Sequence, residues 1–346
     1  MSFSKINPED FVISSDSISS TLWTGDIPGL ALFETSSTQY NSSTSFFLDV
    51  YNTGSTLSGS SIQFSLAYGH ILGSGSKAIN PSVAVNSKSR ITYGQLRNLV
   101  YGDENSYFNF GVGNTSSLDL FVINVNRARY KEKLFVGTFN LYLSGSREIQ
   151  LTDNSGDVTT TTFSDAGRIY DIVSGSDGHA TTTTVGGAAA GYTLSGSFGK
   201  FLPDVGLIIL NPRALTLSTA NGGIGLVITT TSDAATVNIM SLFNAISSSG
   251  EDRSGGSFFL NSEETITSNY IFVRVKNSEW NYTTNPSMIS GSGEFIHSTF
   301  INSPQTFPTT VGFYNDNNDL LAVSKFNKPL VKDFTKEVLI RAKLDF

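Results

Sequence analysis

Leu118-Asp119-Leu120-Phe121-Val122-Ile123-Asn124-Val125 is the stretch that decides the fold class. Its apolar side chains occupy both phases of a two-residue period, the pattern of a strand partly covered on each face. The same period recurs outward from it in both directions. Leu134-Phe135-Val136-Gly137-Thr138-Phe139-Asn140-Leu141-Tyr142-Leu143 follows after a basic segment, and the two stretches are expected to pair through that segment. Toward the N-terminus, residues 45–51 and 62–68 form a similar pair across Asn52-Thr53-Gly54-Ser55, which supplies turn chemistry.

The C-terminal third repeats the theme. Residues 269–276 alternate cleanly between apolar and polar side chains. Residues 311–314 and 320–323 flank Asn315-Asp316-Asn317-Asn318-Asp319, a hairpin signal because Asn and Asp tolerate the positive φ of a tight turn. In the last segment Val338, Ile340, Ala342, Leu344 and Phe346 share one strand face. Glu337, Arg341, Lys343 and Asp345 share the other, joined by Leu339. Such a strand is expected to dock in its own sheet or in a neighbour's. Helices are few. Ser89 is placed to cap one running through Ile91, Leu96, Leu99 and Val100, and residues 237–246 suit a second with Met240 and Phe243 on its apolar side.

Residues 144–200 differ in texture. They are rich in Thr, Ser, Gly and Asp, with homopolymer runs at Thr159 to Thr162 and Thr181 to Thr184 and only Ile169-Tyr170-Asp171-Ile172-Val173 as a clear strand. The expected organisation is an N-terminal β region (1–143), a Ser/Thr/Gly-rich insertion or subdomain (144–200) and a C-terminal β region (201–346). The fold class is mainly β, with β-sandwich-like regions, few short helices and the polar, loop-rich insertion. No period of 20–50 residues recurs, which argues against a solenoid or propeller.

Composition narrows the function classes. Of 346 residues, 39% are hydrophobic, enough for a substantial core. Only 15% are charged, a surface suited to packing against partners rather than to a free enzyme. A net charge of −7 argues against a nucleic-acid partner, and the densest basic cluster, Arg127 to Lys133, reads as a solvated turn. The absence of Cys removes disulfides, thiolate metal sites and Cys nucleophiles, and fits synthesis in a reducing cytoplasm. The first ten residues contain no apolar core of a signal peptide, and no apolar run reaches the length of a membrane span.

Catalytic signatures fail on spacing. No Ser stands in G-x-S-x-G, and His70, His179 and His297 form neither H-E-x-x-H nor a short His pair. Gly73-Ser74-Gly75-Ser76-Lys77 and Gly196-Ser197-Phe198-Gly199-Lys200 are P-loop fragments without the full motif. Asp153-Asn154-Ser155-Gly156-Asp157 and Asp316-Asn317-Asn318-Asp319 cluster oxygen ligands for calcium, yet the twelfth-position Glu is missing, so turn chemistry is expected there. Asp103-Glu104 and Glu263-Glu264 are sequence neighbours, which on a strand point to opposite faces and preassemble no hydrolytic pair. With 25 Phe against 2 Trp, the aromatics suit core and subunit contacts better than sugar platforms. No catalytic residue, cofactor or metal is therefore expected, and the chain reads as no enzyme.

Several segments resemble virion structural proteins of contractile-tailed, myovirus-type marine cyanophages. They include Ala67-Tyr68-Gly69-His70, residues 79–104, Glu148-Ile149-Gln150-Leu151-Thr152-Asp153-Asn154-Ser155, Pro203-Asp204-Val205-Gly206-Leu207-Ile208-Ile209-Leu210-Asn211-Pro212 and residues 332–346. The resemblance implies a structural virion protein, assembled in the host cytoplasm, with other virion proteins and copies of itself as partners. Tail baseplate is the expected position, with neck or capsid association as the alternative. A receptor-binding or glycan-degrading tail protein is the alternative from another class, motivated by the polar loops of residues 159–184 and carrying a host-surface glycan as partner. Association is expected through sheet edges and apolar side chains, with Phe3, Phe11, Val338, Ile340, Leu344 and Phe346 as assembly contacts.

Overall fold

The stretch that opens the sequence reading lies deep in a sheet, with large side chains buried on both of its faces. A computed structural model describes residues 5–35, 47–54, 57–74, 87–111, 116–229, 235–251, 255–283 and 285–345. In chain order the strands begin with β1 (Phe11–Thr21), β2 (Gly29–Leu30), β3 (Glu34–Thr35), β4 (Phe47–Tyr51), β5 (Ile62–His70), β6 (Phe108–Asn109) and β7 (Ser116–Ser117). They continue with β8 (Asp119–Val125), β9 (Lys133–Leu134), β10 (Asn140–Ser144), β11 (Glu148–Asp153), β12 (Thr162–Ser164), β13 (Gly167–Ser176) and β14 (His179–Ala180). The last are β15 (Gly199–Leu202), β16 (Leu207–Leu210), β17 (Phe258–Phe259), β18 (Asn261–Val275), β19 (Thr310–Tyr314), β20 (Leu320–Lys325) and β21 (Val338–Asp345). The α-helices are α1 (Lys88–Tyr101), α2 (Pro212–Thr216), α3 (Ala235–Glu251) and α4 (Ser298–Asn302). The protein is mainly β, as its period-two pattern dictates.

The chain divides into two compact units, residues 18–264 and residues 1–17 with 265–346. The larger unit is built on one antiparallel sheet, ordered β2-β17-β10-β11-β13-β15-β16-β8-β5-β4-β3, with β12 and β14 attached to β13. Alternation sorts its side chains. Phe121 and Ile123 of β8, Ile208 and Leu210 of β16 and Phe64 and Leu66 of β5 enter one core. Leu120, Val122 and Ile209 enter a second core on the opposite face. The first core is closed by α2 and α3 through Leu215, Ile239, Leu242 and Ile246, and the second by α1 through Tyr93, Leu96 and Val100.

The sheet is strongly curled. Phe64 on β5 and Phe258 on β17 lie seven strands apart in the sheet order, a separation of about 34 Å if the sheet were flat. Their ring centroids are instead 5.4 Å apart. Trp23 sits against both, at 6.2 Å from Phe64 and 4.8 Å from Phe258, and its indole Nε1 donates to the Phe258 carbonyl at 2.8 Å. An aromatic cluster with a satisfied indole thus fills the hollow of the sheet.

The structure corrects several expectations. Residues 118–125 and 134–143 do not pair: β8 lies between β5 and β16, and the second stretch breaks into β9 and β10. The break falls at Gly137, which adopts φ 80° and donates its N–H to Asp153 Oδ2 at 2.8 Å. Residues 144–200 are no insertion. They supply β11, β13 and the first half of β15, central strands of the main sheet, and place Ile149, Leu151, Ile172 and Phe198 in its core. The domain limits therefore fall near residues 18 and 264, not at 143 and 200. Helix α1 starts two residues earlier than expected, with Ser87 as N-cap, while Ser89 Oγ donates to the Ser74 carbonyl at 2.8 Å.

Other expectations hold. Residues 47–51 and 62–70 pair antiparallel, β19 and β20 form the expected hairpin, and α3 carries Met240 and Phe243 against the first core. The final strand docks in its own sheet, paired with β18 from Ser268↔Asp345 to Val275↔Val338.

Candidate functional site

The smaller unit is built from β18 paired with β21, the hairpin β19–β20 and the loops between them. Its sheet is ordered β1-β18-β21, so β1 and β21 are the outer strands. Ile271, Val273, Ala342 and Leu344 face Phe313, Val311 and Ala322 of the hairpin, and of these only Ile271, Phe313 and Ala342 are fully buried. Against this small core stands a large apolar surface. Among the described residues, Phe11, Ile13, Leu321, Val323, Phe334 and Leu339 are exposed.

The expected assembly contacts separate on this surface. Phe11 is exposed on an outer strand, whereas Val338 and Leu344 are half-buried. Ile340 is corrected: at 8% exposure it belongs to the interior of its own unit, and its neighbour Leu339, at 61%, faces outward. The alternation of β21 explains the swap, since adjacent residues point to opposite faces. Phe3 and Phe346 lie outside the described residues.

A buried ammonium fixes one part of that surface. Lys332 is 1% exposed, and its Nζ donates to Asn281 Oδ1 at 2.6 Å, the Asp333 carbonyl at 3.0 Å and the Asn277 carbonyl at 3.1 Å. Three oxygen acceptors match the three N–H donors of an ammonium. Asn281, itself buried, lies between Trp280 and Tyr282, which are 52% and 55% exposed. Trp280 holds φ 53°, an unfavourable value for a bulky residue, and its carbonyl accepts from Thr306 Oγ1 at 2.6 Å. Two large aromatic rings are thus presented outward from a pinned backbone. Sequence reading missed this arrangement because Lys332 and Asn281 carry no periodic signal.

The larger unit carries a cleft of about 290 Å³. Helix α1 ends at Gly102, whose φ of 63° gives the left-handed C-cap that glycine adopts without strain. Val100 and Tyr101 line the cleft at the end of that helix, and Val158, Thr160, Thr162 and Phe163 line it together with Ile169, the cross-strand partner of Thr162. Its polar lining is Asn154, Asp171 and Lys200. Asp171 and Lys200 are direct cross-strand partners, with Lys200 Nζ 3.4 Å from Asp171 Oδ1. Asn154 Oδ1 accepts the Asp171 N–H at 3.0 Å. Burial raises the nearby Tyr192 phenol above its ordinary value, helped by the charge of Asp171.

A second polar cluster is structural. Asp119 accepts from Ser117 Oγ and Tyr68 Oη, each at 3.2 Å, and pairs across the strands with His70. Burial raises the carboxyl of Asp119, depresses the imidazole of His70 and raises the phenol of Tyr68. Each shift favours the neutral form over the charged one.

The remaining sequence candidates resolve into structural roles. Asp153 accepts the Gly137 and Ser155 N–H groups, while Asp157 accepts from Ala180 N and contacts His179 Nδ1 at 2.9 Å. Asn315 Oδ1 accepts the N–H groups of Asn317 and Asp319 at the hairpin tip. The Asp153–Ser155 and Asn315–Asn317 contacts are Asx turns, and Asp157 ties its loop to the strand after the β13–β14 turn. In the basic segment, Arg127 stacks over Tyr130 at 4.6 Å, Arg129 donates to Thr24, Lys131 pairs with Glu264 and Lys133 with Glu263. The adjacent glutamates thus serve separate lysines. Among the described residues no cluster of His, Asp and Glu is arranged to hold a metal, and no helix is long and apolar enough to cross a membrane. The chain matches no family model, no curated protein and no solved structure.

Proposed function

We propose that the protein is a structural subunit of a phage virion, positioned in the tail baseplate, with no catalytic activity of its own. The observation that carries this reading is the surface of the smaller unit. Its interior is limited to a few buried side chains, while Phe11, Ile13, Leu321, Val323 and Leu339 face solvent. Large apolar side chains left outside so small an interior can be buried against neighbouring proteins. Outer strands β1 and β21 add backbone groups that a neighbouring strand can pair with. Trp280 and Tyr282 are of the residue types that dominate the energetics of such contacts. The virion setting comes from the resemblance of the segments quoted above to virion proteins of contractile-tailed cyanophages. The partners are then other virion proteins and copies of this chain.

Labelling purified particles with an antibody against the chain tests the position. Signal at the distal end of the tail is the expected outcome. Signal at the head or collar would instead support a neck or capsid position.

A further inference from the structure

We propose that the cleft beside the end of α1 binds a single neutral hexopyranose ring, either a free hexose or the terminal residue of a glycan. This inference rests on the larger unit alone and stands or falls apart from the assembly reading.

Size comes first. At about 290 Å³ the cleft sits at the lower edge of small-ligand sites, which suits one sugar ring rather than a longer segment of chain. Charge comes second. Asp171 and Lys200 lie side by side, so the polar lining carries no net charge. A phosphate or carboxylate ligand attracted by Lys200 meets the repulsion of Asp171 at the same point. An apolar ligand would cover Asp171, Lys200 and Asn154 without offering them hydrogen bonds, a costly exchange. Sugar hydroxyls both donate and accept, so one hydroxyl can give a proton to the carboxylate while its neighbour accepts from the ammonium.

The walls supply the third argument. Tyr101 and Phe163 flank the polar groups, and Phe163 is 70% exposed on the short strand β12. An aromatic ring held out of the core beside a polar lining matches the two-sided chemistry of a pyranose, which has C–H faces and a hydroxyl rim. Thr160 and Thr162 add hydroxyls at the mouth. The Thr-rich stretch that stood out in the sequence thus forms one side of the site.

Titration calorimetry of the full chain with glucose, galactose and mannose is the test. At least one is expected to bind with millimolar affinity. Phe163→Ala should weaken that binding about tenfold, and Lys200→Met should weaken it at least as much. The exposure of the Phe163 ring keeps its replacement from disturbing the core, and a thermal melt verifies that Lys200→Met remains folded. Methyl glycosides separate the two sources of the ring. Retained affinity identifies a terminal glycan residue, and lost affinity a free hexose, either of which carries the proposal. Absence of binding by all three hexoses overturns it. So does hexose binding that Phe163→Ala leaves unchanged, or a preference for glucuronate over glucose.

Discussion

Asp119 is a carboxyl on which burial and hydrogen bonding act in opposite directions. Burial raises its pKa, the hydroxyls of Ser117 and Tyr68 lower it, and burial prevails. A group whose folded value lies above its unfolded value favours folding when protonated. Its contribution is therefore fullest below the ordinary carboxylate range and is lost as pH rises through the folded value. Asp119→Asn should raise the melting temperature at neutral pH by about 2 °C, with the gain vanishing in acid. Melts of both proteins across pH 4–8 check this sign. Lys332 presents the opposite case, a buried charge whose hydrogen-bond donors are all matched. Lys332→Met leaves the Asn277 and Asp333 carbonyls and Asn281 Oδ1 without that donor, and should cost about 3 kcal/mol in chemical denaturation. Trp280 reports the loss through its fluorescence, because its backbone rests on the same network.

At the scale of elements, the turn of β13–β14 shows how local chemistry fixes register. Asp177 and Gly178 adopt φ 51° and 82°, as a two-residue hairpin turn requires. A Cβ on Gly178 would lie 3.0 Å from both Gly137 Cα and Ser155 Oγ. Gly178→Ala should therefore cost about 1–2 kcal/mol by urea denaturation, more than an unhindered glycine replacement. Elements with strict alternation were legible in the sequence. β21 and the β19–β20 hairpin announced themselves because alternation and turn residues agreed, with Asn318 taking φ 65° at the tip. The run 134–143 misled because its apolar residues continue through Gly137, so a turn was hidden inside an apparent strand. Residues 144–200 misled for the converse reason. Thr and Ser dominate their loops and mask strands in which Thr152 and Asp153 are themselves fully buried. The cleft had no sequence signature, since Asn154, Asp171 and Lys200 meet only across neighbouring strands.

At the scale of the whole molecule, the two units differ in how they use apolar residues. The larger one hides them within a curled sheet and beneath its helices, whereas the smaller one leaves many outside. A unit with so small an interior gains little from its own burial and much from a partner's. Deleting residues 338–346 is a poor probe of that partnership, because it also removes Ile340 and Ala342 from the interior. Substitutions of the exposed side chains on the outer sides of β20 and β21 act more selectively. Leu321→Glu with Leu339→Glu should leave the melting temperature within about 2 °C of wild type, since both side chains are exposed.

Incorporation of this double variant into particles tests the central claim most directly. In a phage whose own copy is replaced, mass spectrometry of purified particles measures the amount of the chain per particle. The account predicts that the folded variant is lost from particles while wild type is retained. Incorporation of the variant at the wild-type level would contradict assembly through these exposed side chains.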